Sequence, residues 1–175
     1  MSEIKFATIG TSKITKTFLS AASNVPGFKL EATYSRNIKN AIEFGTPYNV
    51  TKFYDSLKAL AEDRTIDAVY IASPNAFHCS QAIQMMKAGK HVLCEKSLAS
   101  NKKEAEEMFR TAAENNVILL EAMRPVFDPG MDAVKASLNK LGVIRRATLN
   151  YCQYSSRYDS FLQGHEHNIF SKECS

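Results

Sequence analysis

Six times along the chain a short apolar run gives way to a stretch whose apolar residues recur every three to four positions. Runs of the first kind predict strands buried on both faces, and stretches of the second predict amphipathic helices. Residues 4–9 are the first strand, broken by Gly10, after which Ile14, Phe18, Leu19 and Ala22 share a helix face. Residues 29–34 are the second, entered through Val25-Pro26-Gly27, with a helix over 37–44 that Gly45 and Pro47 end. A third strand near 51–54 leads to a helix capped by Asp55 and carrying Leu57, Leu60 and Ala61 on one side. Residues 68–72 form the clearest strand, and the helix after Ser73-Pro74-Asn75 points Cys79, Ile83 and Met86 inward before Gly89 stops it. The fifth strand is 91–94. Asn101-x-x-Glu104 then reads as a capping box for a helix with Ala105, Met108, Phe109 and Ala112 on its core face, and 117–120 is the sixth strand.

Strands alternating with helices in this rhythm predict an α/β fold, a doubly wound parallel sheet with right-handed crossovers. The composition breaks at Arg124-Pro125-Val126-Phe127-Asp128-Pro129-Gly130, which places a domain boundary between 1–123 and 124–175. Beyond it, 131–141 reads as a helix and 143–154 alternates as a strand, the start of a second, α+β domain. A strand of that length needs neighbours that these residues do not supply. The tail 155–175 carries no closing element, so the second domain reads as incomplete, the chain as cut short.

Composition changes this picture little. Hydrophobic residues make up 45% and charged residues 23%, ordinary for a soluble globular protein. The net charge of +4 arises from 22 basic and 18 acidic residues spread along the chain. No basic block with interleaved aromatics occurs, which argues against nucleic acid as a partner. No apolar run is long enough to span a membrane. A strand that starts at residue 4 leaves no room for a signal peptide. Cys79, Cys94, Cys152 and Cys174 show neither a C-x-x-C pair nor metal-ligand spacing, and read as small residues of a chain kept in the reducing cytoplasm. His165 and His167, two residues apart, share no helix face; both are expected at the surface, without a metal.

Ligands of open parallel sheets bind beyond the carboxyl ends of the strands. Polar residues gather in those loops: Gly10-Thr11-Ser12, Ser35-Arg36-Asn37, Ser73-Pro74-Asn75, Glu95-Lys96 and Glu121-Ala122-Met123-Arg124. Strand, glycine turn and helix is the opening of a dinucleotide-binding unit, in which a helix N-terminus faces pyrophosphate. Its full fingerprint is G-x-G-x-x-G, and this chain places Gly10, Ser12 and Thr15 at the three positions. The turn alone suits either a nucleotide site or an ordinary β–α connection.

The run Ala72-Ser73-Pro74-Asn75-x-x-His78, followed by Ala88-Gly89-Lys90-His91-Val92-Leu93-Cys94-Glu95-Lys96, resembles the glucose–fructose oxidoreductase/inositol dehydrogenase (Gfo/Idh/MocA) family. Gly10-Thr11-Ser12 and Tyr34-Ser35-Arg36 stand where that family has its phosphate loop and ribose end. The resemblance implies a Rossmann domain, then a sheet domain that binds substrate and forms a homo-oligomer in the full-length protein. It implies an NAD(P)-dependent oxidoreductase acting on a sugar, polyol or related secondary alcohol or ketone. It also leaves the alternative of a truncated NADP-binding module without turnover of its own, because the family's catalytic aspartate and histidine lie beyond residue 175. The implied cofactor contacts are Gly10, Thr11, Ser12, Ile14, Ser35, Arg36, Ser73, Asn75, His78, Glu95, Lys96 and Arg124. Lys96 is the implied catalytic residue, its cation holding the substrate hydroxyl and the developing alkoxide, with Glu95 orienting it or holding the loop. The family has proline after Glu-Lys where this chain has Ser97, which predicts a looser lysine loop.

Each assignment has a plainer rival. Lys96 could be a solvated surface lysine, Ser73 and Asn75 a proline turn, His78 a histidine satisfied by backbone, and Arg124 a hinge residue. An acid about twenty residues past the first glycine marks NAD-specific sites; here the second strand ends in Tyr34-Ser35-Arg36 without one. That predicts NADP rather than NAD, with Arg36 gripping the 2′-phosphate, or merely covering adenine.

Overall fold

The computed structural model describes residues 3–165, 171 and 174, so His167 lies outside the described residues. At its centre is a six-stranded sheet in the order β3-β2-β1-β4-β5-β6, with every neighbouring pair parallel. The strands are β1 (Ile4–Ile9), β2 (Phe28–Tyr34), β3 (Lys52–Tyr54), β4 (Ala68–Ile71), β5 (His91–Cys94) and β6 (Leu119–Glu121). Between them run α1 (Lys13–Ala22), α2 (Ile38–Gly45), α3 (Leu57–Glu62), α4 (His78–Lys87) and α5 (Lys102–Glu114). The chain leaves β3 at one edge and returns beside β1, so the winding reverses between β1 and β4. The connections that leave their carboxyl ends part there and frame a crevice.

Register decides what each face buries. Ala7, Ala32, Val69, Val92 and Leu119 fall on one line across the sheet. With Ile9, Ile71 and Cys94 they form the main core under Leu60, Ile66, Met85, Met86 and Met108. On the other face Phe18 of α1 stacks on Tyr70 with ring centroids 3.9 Å apart, flanked by Phe6 and Phe28. That face thins toward β6, where Leu120 is exposed. Gly45 ends α2 by close approach rather than by a special dihedral: a Cβ there would lie 2.7 Å from the Thr33 hydroxyl.

Several local expectations shift. Ile14 is exposed and Thr15 buried in its place, because Thr15, Leu19 and Ala22 make the i, i+4, i+7 row that faces the sheet. In α5 the buried row is Met108, Thr111 and Ala112, which leaves Phe109 exposed. Ser56, not Asp55, caps α3, since its hydroxyl is the one that reaches the Ala59 N–H, at 3.3 Å. Strand β6 starts late because the Val117 N–H is taken by the Ala112 carbonyl and the Ile118 N–H by His91 Nδ1. The capping box at Asn101 forms, its side chain accepting from the Glu104 N–H while Glu104 accepts from the Ser100 N–H, both at 3.0 Å.

Past residue 123 the described residues carry α6 (Pro129–Ser137), capped by Asp128, and a short α7 (Tyr158–Leu162). The expected strand over 143–154 is absent; these residues are exposed and make no ladder. Alternation prepares a strand, but only a neighbour can pair its backbone, and the described residues offer none. In the tail α7 is short and buries no residue, and the Tyr154 hydroxyl donates to Asp159 at 2.6 Å. No helix among the described residues is long and apolar enough to cross a membrane.

Two polar groups brace the loops at the amino ends of the strands. Lys90 is buried and donates to the carbonyls of Asp63 (2.6 Å) and Ile66 (3.1 Å), with burial lowering its pKa. Asp63 accepts from the Thr65 hydroxyl and N–H, from Tyr54 and from Lys52 at 2.7–3.1 Å. Burial alone would raise the Asp63 carboxyl, but these bonds outweigh it and hold the group well below the usual carboxylate range. A group depressed in the folded state contributes fully above its unfolded value and loses that contribution as pH falls through the folded one. Urea unfolding measured from about pH 5 down to about pH 2 should therefore show falling stability, with a flatter fall in Asp63→Asn. An unchanged slope in that variant would show that other carboxyls govern acid unfolding.

Candidate cofactor and catalytic site

Gly10 closes β1 with φ of +107°, a conformation that side chains resist. An added Cβ would sit 2.5 Å from the Ala72 carbonyl oxygen at the end of β4. Glycine therefore lets the two strands flanking the crevice touch, and the chain turns directly into α1. Ser12 is the N-cap of α1 with extended backbone, yet its side chain takes none of the free N–H groups of the first turn. Its hydroxyl lies 3.5 Å from that of Thr15 instead. Thr11 is half-buried in the same turn. The result is a helix start with uncapped donors and hydroxyls beside it, the donor set a phosphate needs.

One strand over, β2 delivers Ser35 and Arg36. The Ser35 N–H donates to the Tyr54 carbonyl at 3.0 Å, tying the loop to β3. Arg36 is exposed, and its guanidinium carbon lies 5.9 Å from the centroid of the Phe77 ring. No ion pair holds it among the described residues.

Across the crevice, the Ser73 hydroxyl donates to Gln81 at 2.6 Å, and the exposed Asn75 opens a 3-10 turn, Asn75–Phe77. His78 is fully buried. Its Nδ1 is 2.8 Å from the Ser97 carbonyl and its Nε2 2.9 Å from the Ser73 carbonyl. Its ring nitrogens thus join the loops after β4 and β5 rather than opening on the crevice. This is the backbone-satisfied arrangement that stood as the rival to a cofactor contact.

The β5 loop, without the family's proline, is tied by hydrogen bonds to other elements. The Ser97 carbonyl meets His78, the Leu98 N–H donates to Glu121 at 2.9 Å, and the Glu95 N–H donates to Ile71 at 2.8 Å. Glu95 does not pair with Lys96; its carboxylate accepts from the Tyr70 hydroxyl at 2.6 Å. Burial, then that bond to a carboxylate, pushes the Tyr70 phenol far up, so it stays a donor. Lys96 is exposed at the loop's tip. A cleft of about 480 Å³ is lined by Ile14, Phe18, Tyr70, Glu95, Arg124 and Phe127. Ile14, displaced from the core, lines this cleft.

Tyr70, Gln81 and Phe77 were not foreseen as site residues, and Glu121 only as part of a polar loop at a strand end. A tyrosine in a strand flanked by smaller aliphatics is the one usable signal among them, since a buried hydroxyl needs a partner.

The sequence model of an oxidoreductase family with an NAD-binding Rossmann fold, Gfo/Idh/MocA, matches residues 4–123. The scyllo-inositol 2-dehydrogenase (NADP(+)) IolU of Bacillus subtilis (strain 168) is 49% identical over 172 residues, 98% of this chain and 52% of the relative. An uncharacterized oxidoreductase of Escherichia coli (strain K12), YgjR, is 43% identical over 96% of this chain and 51% of its own length. Among solved structures, KijD10, a 3-ketoreductase from Actinomadura kijaniata in complex with NADP and TDP-benzene, superposes with a TM-score of 0.74 at 28% identity. That superposition covers 79% of this chain and 43% of KijD10. The chain thus spans about half the length of the relatives it matches. Fold, crevice and sequence agree on one identification: the chain belongs to the Gfo/Idh/MocA family of NAD(P)-dependent oxidoreductases.

Proposed function

We propose that the chain carries the nucleotide-binding half of an NADP(H)-dependent oxidoreductase that acts on a sugar, polyol or related secondary alcohol or ketone. The end of β2 carries this reading: Ser35 and Arg36 stand there, no carboxylate does, and Arg36 is unpaired among the described residues. A 2′-phosphate would meet a hydroxyl donor and a planar cation instead of a repelling acid. The donor set at Ser12 and the start of α1 suits the pyrophosphate. The names of the relatives point the same way, one being a dehydrogenase of scyllo-inositol with NADP(+) and the other a 3-ketoreductase in complex with NADP.

The bound cofactor supplies the hydride-transfer chemistry, and the chain supplies placement and charge. Lys96, exposed on a loop fixed at Glu95, Ser97 and Leu98, would hold the substrate oxygen and favour its alkoxide character by electrostatics. Tyr70 holds Glu95, and so the root of that loop.

A second reading, a cofactor-binding module without turnover, draws on His78. With its ring buried against two carbonyls, Lys96 is left as the proton-bearing side chain at the end of β5. Two measurements on the chain separate the readings. Calorimetry at fixed ionic strength should show NADPH binding at least about tenfold tighter than NADH, the scale of one charge-assisted hydrogen bond, and Arg36→Ala should erase most of that gap. Equal affinities would sink the NADP assignment. Steady-state assays over polyols and sugars then decide activity: turnover lost in Lys96→Ala supports the enzyme, whereas tight NADPH binding without turnover supports the module.

A further inference from the structure

The contact between Arg36 and Phe77 joins two loops that are not neighbours in the sheet. Arg36 follows β2 and Phe77 follows β4, while β1 lies between those strands. The pair must therefore pass over the carboxyl end of β1, where Gly10 turns into α1. Phe77 is half-buried and sits on a firm base. Its N–H donates to the Pro74 carbonyl at 3.0 Å, and the next residue, His78, is anchored to the loops after β4 and β5. Arg36, by contrast, is an exposed side chain that lacks an ion-pair partner among the described residues. A guanidinium lying over an aromatic face is attracted to it through that face, while its N–H donors project from its edge and stay available.

We propose that Phe77 is a positioning residue for cofactor choice: its ring carries the Arg36 guanidinium over the crevice with the donor edge free to take the 2′-phosphate of NADP. This rests on the NADP reading above. The chemistry recognised is a nucleotide with a ribose 2′-phosphate, and the discrimination comes from holding Arg36 ready rather than from any contact of Phe77 with the phosphate.

The test compares 2′,5′-ADP with 5′-AMP, and NADPH with NADH, binding to the chain by calorimetry at fixed ionic strength. Phe77→Leu should weaken the two ligands that bear a 2′-phosphate about three- to tenfold, the scale of a part-exposed cation–π contact, and leave 5′-AMP and NADH within about twofold. Phe77→Tyr keeps a ring and should bind as the unmutated chain does. In an Arg36→Ala background Phe77→Leu should have no further effect, because the ring acts only through the arginine. Equal weakening of all four ligands by Phe77→Leu would overturn the proposal, since a purely structural ring or one that stacks on adenine predicts that. So would an additive double variant. If the unmutated chain shows no preference for NADPH, the NADP reading itself has failed. If the preference stands and Phe77→Leu preserves it, only the role of Phe77 has failed. Thermal unfolding of each variant confirms that a folded chain is being compared.

Discussion

Gly10→Ala should destabilise the chain by about 2–6 kcal/mol and abolish measurable nucleotide binding. Two independent costs add. The dihedral of +107° lies in a region that an L-residue enters at about 1–3 kcal/mol. The new Cβ would also lie 2.5 Å from the Ala72 carbonyl oxygen and 2.8 Å from its carbon, overpacking worth about 1–3 kcal/mol more. Neither neighbour can yield cheaply, because the Ala72 N–H donates to Ile9 at 2.8 Å and the Gly10 N–H to Tyr34 at 3.2 Å. Relief would have to come from prising β1 and β4 apart at the crevice, moving the start of α1 away from any phosphate. Against a total stability of about 5–15 kcal/mol, that is a large share. Gly89 offers a control, since it also has positive φ, +77°, but an added Cβ meets nothing within 4 Å. Gly89→Ala should cost only the strain. Urea unfolding and a calorimetric NADPH titration on both variants make the comparison; equal losses, or a Gly10→Ala chain that binds normally, would refute the close-approach argument.

The strands were legible because a parallel sheet buries both faces, so β1 and β4 are nearly unbroken apolar runs with few alternative readings. What spacing could not decide was which of two nearby residues joins a helix row. Ile14 and Phe109 are the more apolar choices, yet Thr15 and Thr111 are buried, because the row is set by how the helix sits on the sheet and not by hydropathy alone. The pattern over 143–154 shows the opposite failure. Its alternation is real, but pairing is a property of two strands, and a single sequence displays only one.

The site divides along the same line. Its location at the strand ends follows from topology, and so the Gly10, Arg36, Ser73 and Lys96 loops could be named without a structure. Its wiring is long-range. That Glu95 is held by Tyr70, 25 residues earlier, or that Leu98 is held by Glu121, 23 residues later, is written in no local pattern. The same holds for Ser97: judged alone it loosens the loop relative to proline, but hydrogen bonds from other elements supply the restraint. Lys90 looks like a surface lysine before a strand until its partners, the carbonyls of Asp63 and Ile66, are seen.

His78 is where these views lead to the sharpest test, because a cofactor contact and a structural tie predict opposite variants. Were the ring a contact of the crevice, His78→Leu would leave the fold intact and weaken nucleotide binding alone. The structure has the imidazole fully buried between the carbonyls of Ser73 and Ser97. Leucine fills similar space but offers no N–H, and a buried carbonyl deprived of its donor costs about 1–3 kcal/mol. The ring donates to at least one of the two carbonyls, so at least one such bond is lost, and the other contact is broken with it. The expected loss in global stability is about 2–4 kcal/mol, at the upper end if water cannot reach Ser73. Loosening should concentrate in the two loops the ring joins. Amide hydrogen exchange at Leu98 and Glu95, whose N–H groups close the β5 loop, should speed up more than exchange at Val69 in the centre of β4. His78→Asn, which keeps one donor, should recover part of the loss. Denaturant unfolding of the two variants, with exchange read residue by residue, gives the answer: a leucine variant within about 0.5 kcal/mol of the parent, with β5-loop protection intact, would return His78 to the list of groups free to meet a cofactor.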